Sequence, residues 1–351
     1  MKNIPFHSAF KLQGKPFNSK EELIDFSKEI SVEVAEFFMN WFDENSFVEV
    51  KTSGSTGNPK IIQLQKKQMI NSAKATGNFF NLPGNTTALL CMSPKYIAGK
   101  MMLVRALTLG WHLDVVEPTS NPLKGSDKNY DFSAMVPLQL HNSLEDIHKI
   151  KKLIVGGGSV SEELLNKIQT VKTEIFSTYG MTETITHIAV KRINQLCHTE
   201  IVSASHYIIL PNIKISVDKR GCLVIDAPKI SEEKVITNDL VELISEKEFK
   251  WLGRIDNVIN SGGIKLIPEQ IEEKLAKILK NRFFVAGIFD AVLGEKLILI
   301  CEGFKNDDLL KEIQHLETLS AYEIPKEIYF LEKFLETETN KIDRAKTLKF
   351  L

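Results

Sequence analysis

The stretch KKLIVGGGSVSEELLNKIQTVKTEIFSTYG, Lys151 to Gly180, carries the reading of the fold. It opens on an apolar run, Leu153-Ile154-Val155, that stops at three glycines. A segment with apolar residues at helical spacing follows, and then a second apolar run that stops at Ser177-Thr178-Tyr179-Gly180. Strand, glycine turn, helix and strand make one βαβ unit. The pattern repeats upstream. TALLCMS, HLDVVEP and FSAMVP are short apolar runs ending at hydroxyl residues or proline, and GKMMLVRALTLG and LEDIHKI between them read as helices. This alternation predicts an α/β fold with a large domain of mainly parallel sheets flanked by helices. In such sheets ligands bind beyond the carboxyl ends of the strands, where the glycine and hydroxyl clusters fall here.

The flanks differ in texture. SKEELIDFSKEISVEVAEFFMNWFDEN, residues 19 to 45, reads as one helix opened by a Ser19/Glu22 capping box. From about residue 205 the chain becomes β-rich, with hairpin turns at DKRG and SEKEFK. After GRIDNVINSGGIKLIP comes a small α+β tail, whose helix PEQIEEKLAKIL has Pro268 in its first turn. A boundary near Asp256 divides the chain into residues 1–255, a large domain with a β-rich subdomain, and residues 256–351.

The 351 residues are 43% hydrophobic and 25% charged with a net charge of -1, which argues against a nucleic-acid binder. No apolar stretch reaches the length of a membrane span, and the start lacks the apolar core of a signal peptide. Cys91, Cys197, Cys222 and Cys301 show no paired spacing, so a reducing cytoplasm is expected; the sequence leaves monomer and homodimer both open.

KTSGSTGNPK, Lys51 to Lys60, combines glycines, hydroxyls and lysines as an anion cradle would. It is not a Walker A loop. Lys60 follows Pro59 and not a glycine, and Ile61 stands where the metal-binding hydroxyl belongs. Taken alone, the stretch reads equally as a phosphate cradle or a surface loop.

TSGSTGNPK resembles the signature loop of the adenylate-forming superfamily of acyl-CoA synthetases, peptide-synthetase adenylation domains and luciferases. Four more motifs follow in that family's order. STYGMTET (177–184) is similar to its adenine and metal motif, and TNDL (237–240) to its ribose motif, usually T-G-D. GRIDNVINSGGIKLIPEQIE (253–272) is similar to its hinge motif, and NKIDR (340–344) to its catalytic-lysine motif, usually G-K-x-x-R. Asn238 and Asn340 replace glycines, an exchange that preserves a left-handed backbone if the turn needs one. The resemblance covers about residue 48 onward, with less chain ahead of the loop than most relatives carry.

The resemblance implies an acid–thiol ligase using ATP, Mg2+ and coenzyme A. It assigns Thr52, Ser53, Gly54, Ser55, Thr56, Gly57 and Lys60 to the ATP phosphates. It sets Gly156, Gly157, Gly158, Ser177, Thr178, Tyr179, Gly180 and Met181 about the adenine. Thr182 would meet the α-phosphate, Glu183 the metal, and Asp239 with Arg254 the ribose. Lys341 would offset the repulsion between the substrate carboxylate and ATP. Asp256 would be the hinge, and Ser261, Gly262 and Gly263 would approach the coenzyme A thiol.

Tyr96, Gly99 and Arg105 would face the acid. Relatives often carry His where Tyr96 stands. Arg105 is a single cation in the apolar run MMLVRALTLG; it could snorkel, pair with a helix carboxylate, or receive a second carboxylate of the substrate. An Arg at this offset from Gly99 resembles the o-succinylbenzoate–CoA ligase subgroup. A ligase for another acid or a carrier-protein thiol, and a non-catalytic nucleotide binder, remain alternatives.

Overall fold

The computed structural model describes residues 5–51, 61–194, 206–336 and 342–351. The five apolar runs of the central region form parallel strands in the spatial order His112–Val115, Thr87–Leu90, Tyr130–Met135, Ile150–Val155 and Glu174–Gly180. Leu153, Ile154 and Val155 are all buried, which explains why the run is continuously apolar: helices or loops cover both faces of a parallel strand.

The sheet continues past this block. Glu174–Gly180 turns back into the antiparallel strand His187–Arg192. Beyond it lie Tyr207–Ile209, Glu248–Arg254, Val235–Ser245, Cys222–Asp226 and Lys214–Val217. The parallel texture and the β-rich texture are thus two parts of one 13-stranded sheet. Local pattern distinguishes the textures, but only edge pairing after residue 180 joins them.

Residues 19–45 form two helices, Lys20–Ile30 and Val32–Trp41, where one was expected. Half of the expected capping box is present: the Glu22 amide donates to Ser19 Oγ, whereas Glu22 Oε2 accepts from the amide of Asn18, one residue ahead of the cap. Ser31, extended at φ -165° and ψ 141°, breaks the run. Its hydroxyl accepts from the amides of Glu33 and Val34, so the same residue that stops the first helix caps the second.

The helix Ile97–Leu109 lies deep in the molecule. Residues Met101 to Leu107 are all buried, which accounts for its apolar sequence on every side. Gly99 lets it in: a Cβ there would stand 2.4 Å from the Ser93 carbonyl oxygen. The helix ends at Gly110, left-handed at φ 74°.

The chain leaves the large sheet at Arg254 and enters a second, five-stranded sheet at Ile259. That sheet includes the hairpin Phe283–Asp290 with Gly294–Glu302, and the strand Glu327–Leu331 parallel to its second arm. It has apolar clusters of its own, one around Ile259, Ile271, Leu275 and Leu299, another around Phe284, Ile298, Ile300 and Phe334. Helix Pro268–Leu275 meets the large sheet at Gly253, where a Cβ would lie 2.4 Å from Glu269 Oε2. Cys91, Cys222 and Cys301 are buried free thiols, and no described helix is long and apolar enough to cross a membrane.

Candidate active site

The site residues gather at the carboxyl ends of the parallel strands. Gly156–Gly158 follow Ile150–Val155, and Ser177–Gly180 close the next strand. The two turns touch. Thr178 Oγ1 donates to the Val155 carbonyl at 3.2 Å, and a Cβ on Gly156 would meet that same hydroxyl at 2.5 Å. Gly157 needs its glycine for a φ of 84°. Gly180 is required by the tight return of the chain: a Cβ there would sit 2.3 Å from the Thr186 carbonyl oxygen.

Tyr179 leads from the adenine motif to the ribose motif. Its ring packs edge-on against Phe249 and tilts against Tyr207, whose hydroxyl lies 3.4 Å from Ser177 Oγ. Its hydroxyl donates to Asp239 Oδ2 at 2.6 Å. Burial and then the Asp239 charge raise the Tyr179 phenol, so it stays a neutral donor. Trp251 Nε1 donates to Asp239 Oδ1 at 3.2 Å. Each Asp239 oxygen therefore carries a protein hydrogen bond and retains a second acceptor direction. Arg254 Nε lies 3.9 Å from Asp239, and its Nη2 donates to Asp256 Oδ2 at 2.8 Å. That bond, chiefly, holds the Asp256 carboxyl below the usual carboxylate range.

Thr182–Thr184 form one 3-10 turn, with the Met181 amide donating to Thr184 Oγ1 at 3.1 Å. Glu183 projects from it, exposed. Next comes Ile185 at φ 66° and ψ -56°, fully buried, with the Thr186 amide donating to the Thr184 carbonyl at 2.7 Å. A β-branched residue in this γ-turn is strained, and such strain persists only where surrounding structure holds it. Among the described residues no group of three or more His, Cys, Asp or Glu could hold a metal ion. A single carboxylate at Glu183 suits magnesium, which is commonly held by one or two carboxylates together with substrate phosphates.

Arg105 neither snorkels nor pairs with a carboxylate among the described residues. It is 1% exposed, Nη1 reaches only Met102 Sδ at 3.7 Å, and Nε and Nη2 have no partner among the described residues. Burial lowers its pKa to about 9. Beside it is His187, which the sequence reading missed. His187 is buried, with Thr76 Oγ1 3.5 Å from Nε2 and Thr186 Oγ1 3.5 Å from Nδ1. Burial, then the Arg105 charge, hold it well below the usual imidazole range. It closes a crevice of about 20 Å³ between Ser72, Leu210 and Ile230, room for about one water. The only sequence signal was a histidine opening the apolar run HIAV directly after the glycine motif.

Other expected residues lie apart. Tyr96, 56% exposed, caps the opposite end of the helix that bears Arg105, nine residues or about 13 Å away. Gly99 serves helix packing. Ser261, Gly262 and Gly263 form the tip of the hairpin that opens the small sheet, with the Gly262 amide donating to the Leu293 carbonyl at 2.8 Å. Thr52 to Lys60, Asn340 and Lys341 lie outside the described residues; the strands flanking the loop pair through Lys51 and Ile61. Arg344, from the same motif as Lys341, donates to Glu272 Oε2 at 2.7 Å. Asn238 corrects an expectation. It sits in the extended strand Val235–Ser245 and not in a left-handed turn, so backbone freedom is not its role here.

The architecture matches solved structures. An acyl-CoA synthetase (AMP-forming)/AMP-acid ligase II-like protein from Dyadobacter fermentans is 38% identical, with a TM-score of 0.61 over 91% of this chain and 95% of that one. An o-succinylbenzoate CoA synthetase from Bacillus subtilis, in complex with the acyl-adenylate intermediate OSB-AMP, is similar in fold. It has a TM-score of 0.74 over 85% of this chain and 68% of that one, at 20% identity. In sequence, a probable 2-succinylbenzoate–CoA ligase of Mycobacterium tuberculosis is 26% identical over 86% of this chain and 84% of that protein. Residues 47–226 match the profile of AMP-binding enzymes, a span that holds the phosphate-loop, triple-glycine and STYGMTET motifs. By that match and by the Dyadobacter likeness, the chain belongs to the AMP-binding enzyme family.

Proposed function

We propose that the protein is an ATP-dependent acid–thiol ligase that activates o-succinylbenzoate and transfers it to coenzyme A in the cytoplasm. Family membership and relatives named for this reaction support the reaction class. The observation that carries the substrate is Arg105, a buried guanidinium with two nitrogens unpartnered among the described residues. A buried cation without a counter-charge is costly, and a carboxylate arriving with the ligand would offset that cost. o-Succinylbenzoate brings two carboxylates: one to be activated, one for Arg105.

In the first step the reacting carboxylate attacks the α-phosphate of ATP and pyrophosphate leaves. In the second the coenzyme A thiol attacks the mixed anhydride and AMP leaves. The chain's residues bind and orient. Gly156–Gly158 and Tyr179 border the adenine, and Asp239 accepts from the ribose through its free acceptor directions. Thr182 and Glu183 face the phosphates, where magnesium would neutralise charge. Thr52 to Lys60 hold the outgoing phosphates, and Lys341 stabilises charge at the α-phosphate. We read residues 1–255 and 256–351 as two units that reorient about Asp256 between the steps, bringing Ser261–Gly263 to the thiol.

The test is a coupled assay with ATP, coenzyme A and o-succinylbenzoate. Arg105→Ala should lower kcat/KM for the diacid by about 30-fold or more, while a monoacid analogue loses much less. An undiminished rate with the diacid would remove the substrate assignment.

A further inference from the structure

Side chains of the large sheet hold the connection to the small one. Asp256 lies in the one-turn helix Ile255–Asn257, between the last strand of the large sheet and the first of the small. Its carboxylate accepts from Arg254 Nη2 at 2.8 Å and from Asn238 Nδ2, which is 3.1 Å from each of its oxygens. Asn238 is itself oriented. Its Oδ1 accepts from Arg220 Nη1 at 3.1 Å, and Arg220 is fixed by the Thr237 carbonyl at 3.0 Å and by Asp218 at 2.8 Å. Turning the amide over would set Nδ2 against a guanidinium and Oδ1 against a carboxylate, so the charges on both sides choose its direction.

The next residue in the strand is Asp239, whose side chain points to the other face and meets Tyr179 and Trp251. Arg254 stands between the two carboxylates, 2.8 Å from Asp256 and 3.9 Å from Asp239. A ligand drawing on Asp239 or Arg254 therefore acts on groups that also restrain Asp256. A reorientation hinged at Asp256 changes its backbone dihedrals and would carry its carboxylate away from Asn238. A glycine at 238 would offer no such restraint.

We propose that Asn238 is a positioning residue that latches the Asp256 turn to the strand bearing Asp239, and so sets how readily the small sheet leaves its present orientation. This rests on the reading above, in which the small unit reorients between half-reactions.

Amide hydrogen exchange on the full chain, followed by mass spectrometry, tests the latch directly. Asn238→Ala should speed exchange at residues 255–258 by about threefold to tenfold, the worth of one or two modest hydrogen bonds, with strand Ile150–Val155 unchanged. Asn238→Asp keeps the size but sets two carboxylates together, and should speed it further. In an Asp256→Ala background Asn238→Ala should add nothing. The ratio of pyrophosphate release to thioester formation should shift by about threefold or more in Asn238→Ala. Unchanged exchange at 255–258, or the same increment in both backgrounds, overturns the latch. If the wild type released no pyrophosphate with any acid, the ligase reading would fall, while the exchange measurement would still decide the latch.

Discussion

Arg105 and His187 set two cation-capable groups together in the interior with no carboxylate among the described residues to balance them. Such a site is held against its own stability. Arg105→Met, close in length and apolar, should raise the melting temperature by about 2–5 °C while the diacid rate collapses. Thermal denaturation beside the coupled assay would show the two moving in opposite directions. His187 is buried neutral, its folded pKa depressed below the unfolded value of about 6.5. As pH falls below that value the unfolded chain takes up a proton that the folded chain refuses. Stability is then full above about pH 6.5 and declines below it, by up to about 1.4 kcal/mol per pH unit. His187→Gln should remove that slope in urea titrations between pH 6.5 and 5; His112, also held low by burial, leaves a smaller residual slope. The Arg was conspicuous in the sequence as one charge in an apolar helix. Whether it snorkelled, paired or stayed unpaired depended on neighbours distant in sequence. The His gave almost no signal, because a lone histidine at a strand start is usually an ordinary core residue.

Among elements, the helix Ile97–Leu109 shows how packing constrains the site. Gly99 lies against the Ser93 carbonyl, and the same rigid helix carries Arg105 almost two turns on. Gly99→Ala should push the helix outward, lowering stability by about 1–3 kcal/mol and moving the guanidinium. Thermal shift and kcat/KM for the diacid should fall together, in contrast to Arg105→Met. Strand and helix identities were largely legible, since period and turn residues are local properties. The break at Ser31 was less so: two helices sharing one cap residue present a nearly continuous helical pattern. Asn238 failed for another reason. Asparagine tolerates a left-handed backbone but does not require it, so residue type could not tell a turn from the extended strand whose side chain reaches Asp256.

At the scale of the molecule, two sheets with separate apolar clusters meet along strand Glu248–Arg254 and helix Pro268–Leu275. Arg344 ties the C-terminal helix to Glu272 at 2.7 Å and to the Phe284 ring at 5.4 Å. Arg344→Ala leaves the largely buried Glu272 without its cation and should destabilise the small unit by about 2 kcal/mol, less than for a fully buried pair. Calorimetry should show the small unit melting earlier while the main transition keeps its midpoint, because the cores are separate. Below both transitions, adenylate formation should fall by about 100-fold if Lys341 acts at the α-phosphate as proposed. The order of motifs, the α/β alternation and the residue types of the nucleotide site were determined by sequence alone, because each depends on neighbours within a few positions. Tertiary structure alone decided that the parallel and antiparallel strands share one sheet, that Arg105 is buried beside His187, and that Asn238 faces Asp256. Those outcomes depend on contacts between residues far apart in the chain, and only closing the fold brings them within hydrogen-bonding and Coulombic range.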